Sequence, residues 1–195
     1  KNHRADIIDL NGQIIAKTIL RSVVGIKPNL IIDEKKLLLN LKIILPDLNL
    51  ENIKKKIKAK KFFWLSKKLD QKKINQLRLL GDKSIIFEKQ VSRIYPQKSL
   101  FSHVIGQIDD SNTGISGLEK SLDNTLKKTK KKIRLTLDSE IQFLVRQELI
   151  RAEKFFRNIG SAAILMNINN GKILSLVSMP DFDLNKRQDI KDQKF

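Results

Sequence analysis

Three short blocks between residues 93 and 119 decide how this chain is interpreted, and each combines apolar residues with glycine or proline: Arg93-Ile94-Tyr95-Pro96, His103-Val104-Ile105-Gly106 and Gly114-Ile115-Ser116-Gly117-Leu118-Glu119. Proline disfavours the helical conformation of the residue before it, so Tyr95 is expected to be extended. Gly106, Gly114 and Gly117 suit tight turns or close backbone approach. The combination predicts a junction with a tightly specified backbone; the alternative is an ordinary loop between two strands.

Length and composition predict a globular chain with a substantial core. The 195 residues are 41% hydrophobic, which suits one large domain or two small ones. No apolar run approaches the roughly 18 residues that span a bilayer. No signal peptide is visible. The chain does not begin with Met, which favours a soluble piece of a larger protein.

Cysteine is absent, and the two histidines, His3 and His103, lie far apart in the sequence. Disulfides, thiolate chemistry and thiolate zinc sites are therefore excluded. A histidine-based metal site is not expected either. We therefore predict no cofactor.

The chain is strongly basic, with a formal net charge of +18 and a pI of about 10.1. Such a charge favours anionic partners: nucleic acid, acidic lipid or an acidic polymer. The lysines cluster at residues 54–61 and 127–132, with few aromatic residues between them. The alternative to a binding site is a solvated basic face.

The N-terminal segment predicts a hairpin. Two apolar runs, with strands expected at about 5–9 and 13–19, flank Asn11-Gly12, which suits a type I′ turn. Arg4, Asp6 and Asp9 crowd the first strand. Charges on an edge strand can simply block aggregation, whereas an arginine beside carboxylates can form a fixed bidentate pair.

The middle of the chain predicts helices separated by short strands. Asp33 and Asn49 are expected to cap two helices, with Pro46 ending the first. Asp70 is expected to cap a third helix that ends at Gly81. The remaining expected strands cover residues 62–65, 84–88 and 91–95.

Beyond the junction, a helix over residues 118–126 is expected to run into the lysines at 127–132, which mark the predicted domain boundary. A strand at 133–137 follows, and Asp138 is expected to cap a long amphipathic helix ended by Gly160. Two strands, 162–168 and 172–179, are expected to form a hairpin around residues 169–171.

Several of these blocks, in this order, resemble class B penicillin-binding proteins. The blocks similar to the family's non-catalytic N-terminal module are Arg4-x-Asp6-Ile7-x-Asp9-x-Asn11-Gly12, Arg93-x-Tyr95-Pro96, His103-x-x-Gly106 and Gly114-x-x-Gly117-x-Glu119. The blocks similar to the start of its transpeptidase domain are Leu135-Thr136-Leu137-Asp138 and Gly171-x-Ile173-Leu174, with Pro180-x-Phe182-Asp183-x-Asn185 after them. Phe63-Trp64-Leu65 with Lys67-Lys68 resembles the division-type, septal branch.

The resemblance implies an α+β fold in two parts. Residues 1–132 would form the pedestal, or dimerisation, domain. Residues 133–195 would form the truncated N-terminal portion of the transpeptidase domain, a helix plus an antiparallel hairpin. Two positions depart from the family: Leu10 stands where it usually has arginine, and Leu184 where it often has proline. Any salt bridge from position 10 would be lost, and the turn around position 184, at the end of the last block, would be loosened.

The family's catalytic motifs are absent from this sequence. Its acyl transfer uses a serine in S-x-x-K, followed by S-x-N and K-T-G. No serine here is followed by lysine three residues later, and neither other motif occurs. The nucleophile, its base and an oxyanion hole are needed together. The chain as given is therefore not expected to be an enzyme.

What the resemblance implies for the parent protein is a peptidoglycan D,D-transpeptidase that cross-links the septum. A transmembrane helix preceding residue 1 would hold it on the periplasmic side of the inner membrane. Its partners would be divisome proteins, including an FtsW-like glycosyltransferase, and peptidoglycan bound through the catalytic domain. No nucleic-acid partner is expected. The alternative function is a basic binding module for nucleic acid or an anionic membrane surface.

The candidate site residues are expected to be couplers rather than catalysts: Arg4, Asp6, Asp9, Gly12, Arg93, Tyr95, Pro96, His103, Gly106, Gly117 and Glu119. The hypothesis is that Arg4 and Arg93 pair with Glu119 or Asp9 where pedestal strands meet the transpeptidase hairpin. Removing one partner of such a buried pair costs about 3–5 kcal/mol. The alternative is that these pairs only hold the pedestal together.

Overall fold

The computed structural model describes residues 4–66 and 69–186, which group into two compact units. Unit 1 contains the described residues up to Ile19 and from Ser92 onward, and unit 2 contains Leu20–Val91. His3, Lys67-Lys68 and the last nine residues of the predicted transpeptidase portion lie outside the described residues. The mixture of helices and strands confirms the predicted α+β class.

The described residues of unit 2 contain three capped α-helices, one short strand and parts of two longer strands. Its helices are α1 (Glu34–Ile44), α2 (Leu50–Lys58) and α3 (Gln71–Leu79), and its strand β3 is Phe63–Ser66. The side chains of Asp33, Asn49 and Asp70 each accept a hydrogen bond from the backbone N–H three residues on, which confirms all three predicted caps. Two strands pass through both units, β2 (Ile14–Ile26) and β4 (Ile85–Ile94).

Unit 1 contains the junction and everything that follows it. Its remaining elements are β1 (Ile7–Ile8), α4 (Ser102–Ile105), α5 (Gly117–Ser121), α6 (Asp123–Lys128), β5 (Ile133–Arg134), α7 (Ser139–Phe156), β6 (Ser161–Met166) and β7 (Ile173–Met179). Strand β1 pairs antiparallel with β2 and parallel with β5, while β6 and β7 form a separate antiparallel hairpin. The core is an apolar cluster centred on Ile7, Tyr95, Phe101 and Leu126.

The predicted type I′ turn at Asn11-Gly12 is wrong. Gly12 has a positive φ of 89°, but Asn11 is not among the residues with positive φ. The carboxylate of Asp9 accepts hydrogen bonds from the N–H groups of Asn11 and Gln13 instead, at 2.9 and 2.7 Å. An aspartate that binds the backbone two residues on supports a longer turn, and only its glycine needs the left-handed conformation.

Other predicted boundaries also shift. The two strands expected at 84–88 and 91–95 are one strand, β4, and the helix expected over 118–126 is divided into α5 and α6. Helix α7 ends at Phe156 rather than near Gly160, because Arg157 adopts the left-handed conformation and donates its N–H to the carbonyl of Glu153. Strand β5 has two residues instead of five.

The segments on either side of residue 132 share the core of unit 1. Leu126 and Leu137 belong to the same buried cluster, and the N–H of Ile133 donates to the carbonyl of Asp6 at 2.9 Å. Leu184, where the family often has proline, is also buried in that cluster. The predicted boundary between two domains of the parent protein stays a prediction.

The junction is more than a loop, because its glycines let two backbone segments touch. Gly106 follows α4 and Gly117 begins α5, with φ values of 71° and 56°. A Cβ added at Gly117 would lie 2.6 Å from the carbonyl carbon of Ile105, and one added at Gly106 would clash with the carbonyl of Ser116. This crossing of α4 and α5 fixes where Glu119 points.

We expect Gly117→Ala to destabilise unit 1 more than Gly171→Ala. Both glycines have positive φ, which costs an alanine about 1–2 kcal/mol, but the added Cβ has no neighbour within 4 Å at Gly171. The backbone clash at Gly117 should add about 1–3 kcal/mol. Urea unfolding followed by circular dichroism measures both, and equal losses would contradict a steric role for the crossing.

Candidate functional site

A buried network of charged side chains lies at the centre of unit 1. Arg4 and Glu119 have no exposed side-chain surface, and the side chain of Arg93 is 1% exposed. The Nε of Arg4 lies 2.5 Å from Oε2 of Glu119, and the Nε of Arg93 lies 2.8 Å from Oε1 of the same carboxylate. Both arginines therefore contact Glu119, one of the two partners proposed for them.

Asp123 completes the network as a second carboxylate. Its Oδ1 lies 2.6 Å from Nη1 of Arg4 and accepts the N–H of Gly114 at 2.8 Å, while Oδ2 lies 2.7 Å from Nζ of Lys127. Burial would raise the pKa of Asp123, but hydrogen bonds from Lys127, Arg4 and Gly114 hold the pKa well below its ordinary value of 3.8. The group is therefore charged at neutral pH.

The same network binds the backbone of the N-terminal segment. Nη1 of Arg93 donates to the carbonyl of Ala5 at 2.8 Å and to Oγ1 of Thr18 at 3.0 Å. Nη2 of Arg4 donates to the carbonyl of Glu119 at 2.5 Å. The network therefore ties the start of the described chain, strand β2, the end of β4 and helices α5 and α6 together.

Tyr95 lies beside this network. Its hydroxyl donates to Oε1 of Glu119 at 3.4 Å, and burial together with the charge of Glu119 raises the pKa of Tyr95. Burial would lower the pKa of Arg4, yet its contacts with Asp123 and Glu119 raise it. Tyr95 and Arg4 therefore stay protonated at neutral pH, and both contact the Glu119 carboxylate in that form.

Asp9 does not join the arginines; it binds the start of α7. Its Oδ2 accepts hydrogen bonds from the Oγ and the N–H of Ser139, at 2.5 and 3.2 Å. Burial would raise the pKa of Asp9, but hydrogen bonds from Ser139, Gln13 and Asn11 lower it. Asp138 caps the helix as predicted and accepts from Nδ2 of Asn11 at 2.9 Å. The turn after β1 is thereby fixed to the N-terminus of α7.

Two further candidate residues contact the turn that follows β7. The N–H of Tyr95 donates to Oδ1 of Asn185 at 3.0 Å, and Nδ2 of Asn185 donates to the carbonyl of Tyr95 at 2.8 Å. Nε2 of His103 lies 2.8 Å from the carbonyl oxygen of Pro180, and the His103 ring meets the Phe182 ring edge-on. The junction is therefore linked directly to residues 180–185.

The remaining candidates lie outside these contacts. Oδ1 of Asp6 accepts the N–H of Thr18 at 3.3 Å, Gly12 forms the turn after β1, and Pro96 is exposed at the end of β4. Leu10, where the family usually has arginine, offers its carbonyl to Nη1 of Arg134 at 3.0 Å. No group of three or more metal-ligating side chains occurs among residues 4–66 and 69–186.

Sequence reasoning missed Gln142, a buried side chain in which both amide atoms are fully used. Its Nε2 donates to the carbonyls of Leu100 and Leu176, at 3.0 and 2.8 Å. Its Oε1 accepts from Oγ of Ser175 and the N–H of Leu176, at 2.9 and 2.8 Å. The available signal was a glutamine four residues after the helix cap, on the face that packs inward.

Replacing Glu119 by glutamine is expected to cost about 3–5 kcal/mol of unfolding free energy, because both buried arginines lose their shared charge. The matched control is Lys127→Met, which removes a partly exposed i,i+4 pair and should cost under about 1 kcal/mol. Fluorescence of Tyr95, the only tyrosine, reports on unit 1 when Trp64 is replaced by phenylalanine. Equal costs for the two variants would contradict a central role for Glu119.

The lowered pKa of Asp123 predicts a pH dependence. A carboxylate with a lowered folded-state pKa contributes stability above its ordinary pKa and loses it as pH falls through the folded value. Asp123→Asn should therefore be less stable than the parent at neutral pH, with the difference shrinking between about pH 4 and about pH 2. Urea titrations across that range measure it. A difference that does not change with pH would contradict the assignment.

Comparison with known proteins agrees with this architecture. Residues 1–153 match the family described as Penicillin-binding Protein dimerisation domain. The chain is 27% identical over 187 residues to the "Probable peptidoglycan D,D-transpeptidase FtsI" of Caulobacter vibrioides, covering 94% of this chain and 32% of the relative. It is 31% identical over 157 residues to the "Probable peptidoglycan D,D-transpeptidase PenA" of Neisseria meningitidis, covering 66% and 27%. The chain thus spans about a third of the length of these relatives.

Solved structures share the fold. The complex between Penicillin-Binding Protein (PBP2) and MreC from Helicobacter pylori matches with a TM-score of 0.65 and 21% identity, over 94% of this chain and 42% of that chain. A peptidoglycan synthetase from Bifidobacterium adolescentis matches with a TM-score of 0.57 and 16% identity, over 95% and 44%. Among the described residues, no helix is long and apolar enough to cross a membrane.

Proposed function

We propose a scaffolding function for this chain, which belongs to the penicillin-binding protein dimerisation domain family. In this proposal residues 1–132 form the pedestal, and residues 133–195 begin the transpeptidase domain. The parent protein would be a peptidoglycan D,D-transpeptidase of cell division. The names of its relatives support this interpretation. In this proposal, acyl transfer is carried out by a catalytic domain with the S-x-x-K, S-x-N and K-T-G motifs that this sequence lacks.

The contacts of Asp9, Tyr95 and His103 support a coupling role for the candidate residues. Each of these residues belongs to the proposed pedestal, and each bonds to the proposed transpeptidase portion: to Ser139, Asn185 and Pro180. The arginine–glutamate network fixes the segments from which these three residues project. A displacement in the pedestal would therefore be passed to the start of α7 and to the turn after β7.

The proposed setting is the periplasmic side of the inner membrane, with a membrane helix preceding residue 1. The proposed partners are divisome proteins, including a glycosyltransferase. One of the solved structures with this fold is a complex with MreC, so a protein of this architecture does bind a partner. We propose that the pedestal receives such a partner and that the network transmits its effect.

We expect Arg93→Ala in the full-length parent to lower septal peptidoglycan synthesis while the purified variant is still acylated by penicillin. Loss of Arg93 removes the hydrogen bonds to the Ala5 carbonyl and to Oε1 of Glu119, which loosens the pedestal without touching the nucleophile. Septal incorporation of a fluorescent D-amino acid and labelling with fluorescent penicillin measure the two effects.

The matched control is Lys89→Ala, an exposed position on the same strand, which should change neither measurement. Arg93→Lys keeps the charge but cannot make both contacts of the guanidinium, so it should fall between the two. If Arg93→Ala abolishes penicillin labelling and septal synthesis together, the network only maintains the fold and the coupling proposal fails.

A further inference from the structure

We propose that the lysine loop, residues 127–132, is a docking site for an anionic phospholipid surface. Five of its six residues are lysines, and all five are exposed: Lys127, Lys128, Lys130, Lys131 and Lys132. The segment comprises the last two residues of α6 and the connection from α6 to β5, and the N–H of Lys131 donates to Oγ1 of Thr129 within it. The fold therefore presents five ammonium groups from six consecutive residues.

Four of these charges have no carboxylate partner among the residues that the structure describes. Lys127 pairs with Asp123 at 2.7 Å, whereas no ion pair within residues 4–66 and 69–186 involves Lys128, Lys130, Lys131 or Lys132. Loss of these four charges leaves every contact of the buried network in place. Their attraction is consequently available to an external anion, and a polybasic segment gains about fivefold in membrane partitioning for each lysine near an anionic surface.

The position of the loop favours a membrane over other polyanions. Hydrogen bonds from Ala5 to Leu126 and from Ile133 to Asp6, of 2.8 and 2.9 Å, hold both ends of the loop beside the start of the described chain. Asp9, at the other end of β1, binds the N-terminus of α7. The loop thus lies beside the residues that precede β1, and the N-terminus of α7 lies beside the residue that follows β1.

This inference rests on the proposed function, in which the segment preceding residue 1 leads to the bilayer. A loop held beside Ala5 then lies close to the segment that leads to the membrane. Phospholipid headgroups offer many weakly ordered anionic sites, which suit the compact, flexibly attached charge of lysine. The loop contains no arginine and no aromatic residue to stack on bases, so single-stranded nucleic acid is the less suitable ligand.

The test is flotation of the 195-residue chain with vesicles of phosphatidylcholine alone or mixed with phosphatidylglycerol, at low and physiological salt. The loop variant carries Lys128→Gln, Lys130→Gln, Lys131→Gln and Lys132→Gln. The control variant removes the same charge from exposed positions of unit 2, with Lys54→Gln, Lys55→Gln, Lys58→Gln and Lys61→Gln. Circular dichroism confirms that both remain folded.

We expect the parent chain to bind only the anionic vesicles, with binding that weakens as salt is raised. The loop variant should lose between about tenfold in partition coefficient, if only one or two of the four lysines lie at the surface, and about 600-fold, if all four do, and the control variant should lose much less. Equal losses, or no binding by the parent, would overturn the proposal. So would tighter binding of a single-stranded oligonucleotide that the loop variant abolishes. None of these results depends on the Arg93 experiment, so the two proposals fail separately.

Discussion

The carboxylate of Glu119 is the group on which unit 1 depends, because two buried arginines from distant parts of the chain share it. Taking such charges out of water costs several kcal/mol for each ion, and only good geometry with further hydrogen bonds offsets this. Here the hydrogen bonding is close to complete. The exception is Nη2 of Arg93, a buried nitrogen without a partner among the described residues. The network therefore specifies one arrangement of segments more than it adds stability.

Glycine is what allows that arrangement. Glu119 follows Gly117 by two residues, and Gly117 begins a helix whose first turn touches the end of α4. Gly114 lies so close to the carbonyl of Glu119 that a side chain would not fit, and its N–H binds Asp123. Both carboxylates are thus positioned by backbone contacts that only glycine permits, so the charges and the glycines form one structural unit.

The parts of this fold that depend on local chemistry could be predicted from the sequence. Caps at Asp33, Asn49, Asp70 and Asp138 follow from side chains that bind the backbone a few residues away, and the glycines of the junction follow from spacing. Partners distant in sequence could not be assigned in the same way. Glu119 and Asp9 were equal candidates for the arginines, and only the folded chain shows that Asp9 binds Ser139 instead. Gln142 was missed because a buried amide is identified by partners that the sequence does not place.

Although the chain has a net charge of +18, its interior network is neutral. Arg4 and Arg93 are balanced by Glu119 and Asp123, so the buried charges cancel. Asp9 is also held inside, by hydrogen bonds. Because the network removes two positive and two negative charges from the surface, the excess positive charge of the chain falls on exposed segments such as α2 and the lysine loop. Surface charge can therefore change at four of the loop lysines without a change in the network, because Lys128, Lys130, Lys131 and Lys132 form no ion pair within the described residues, whereas Lys127 pairs with Asp123.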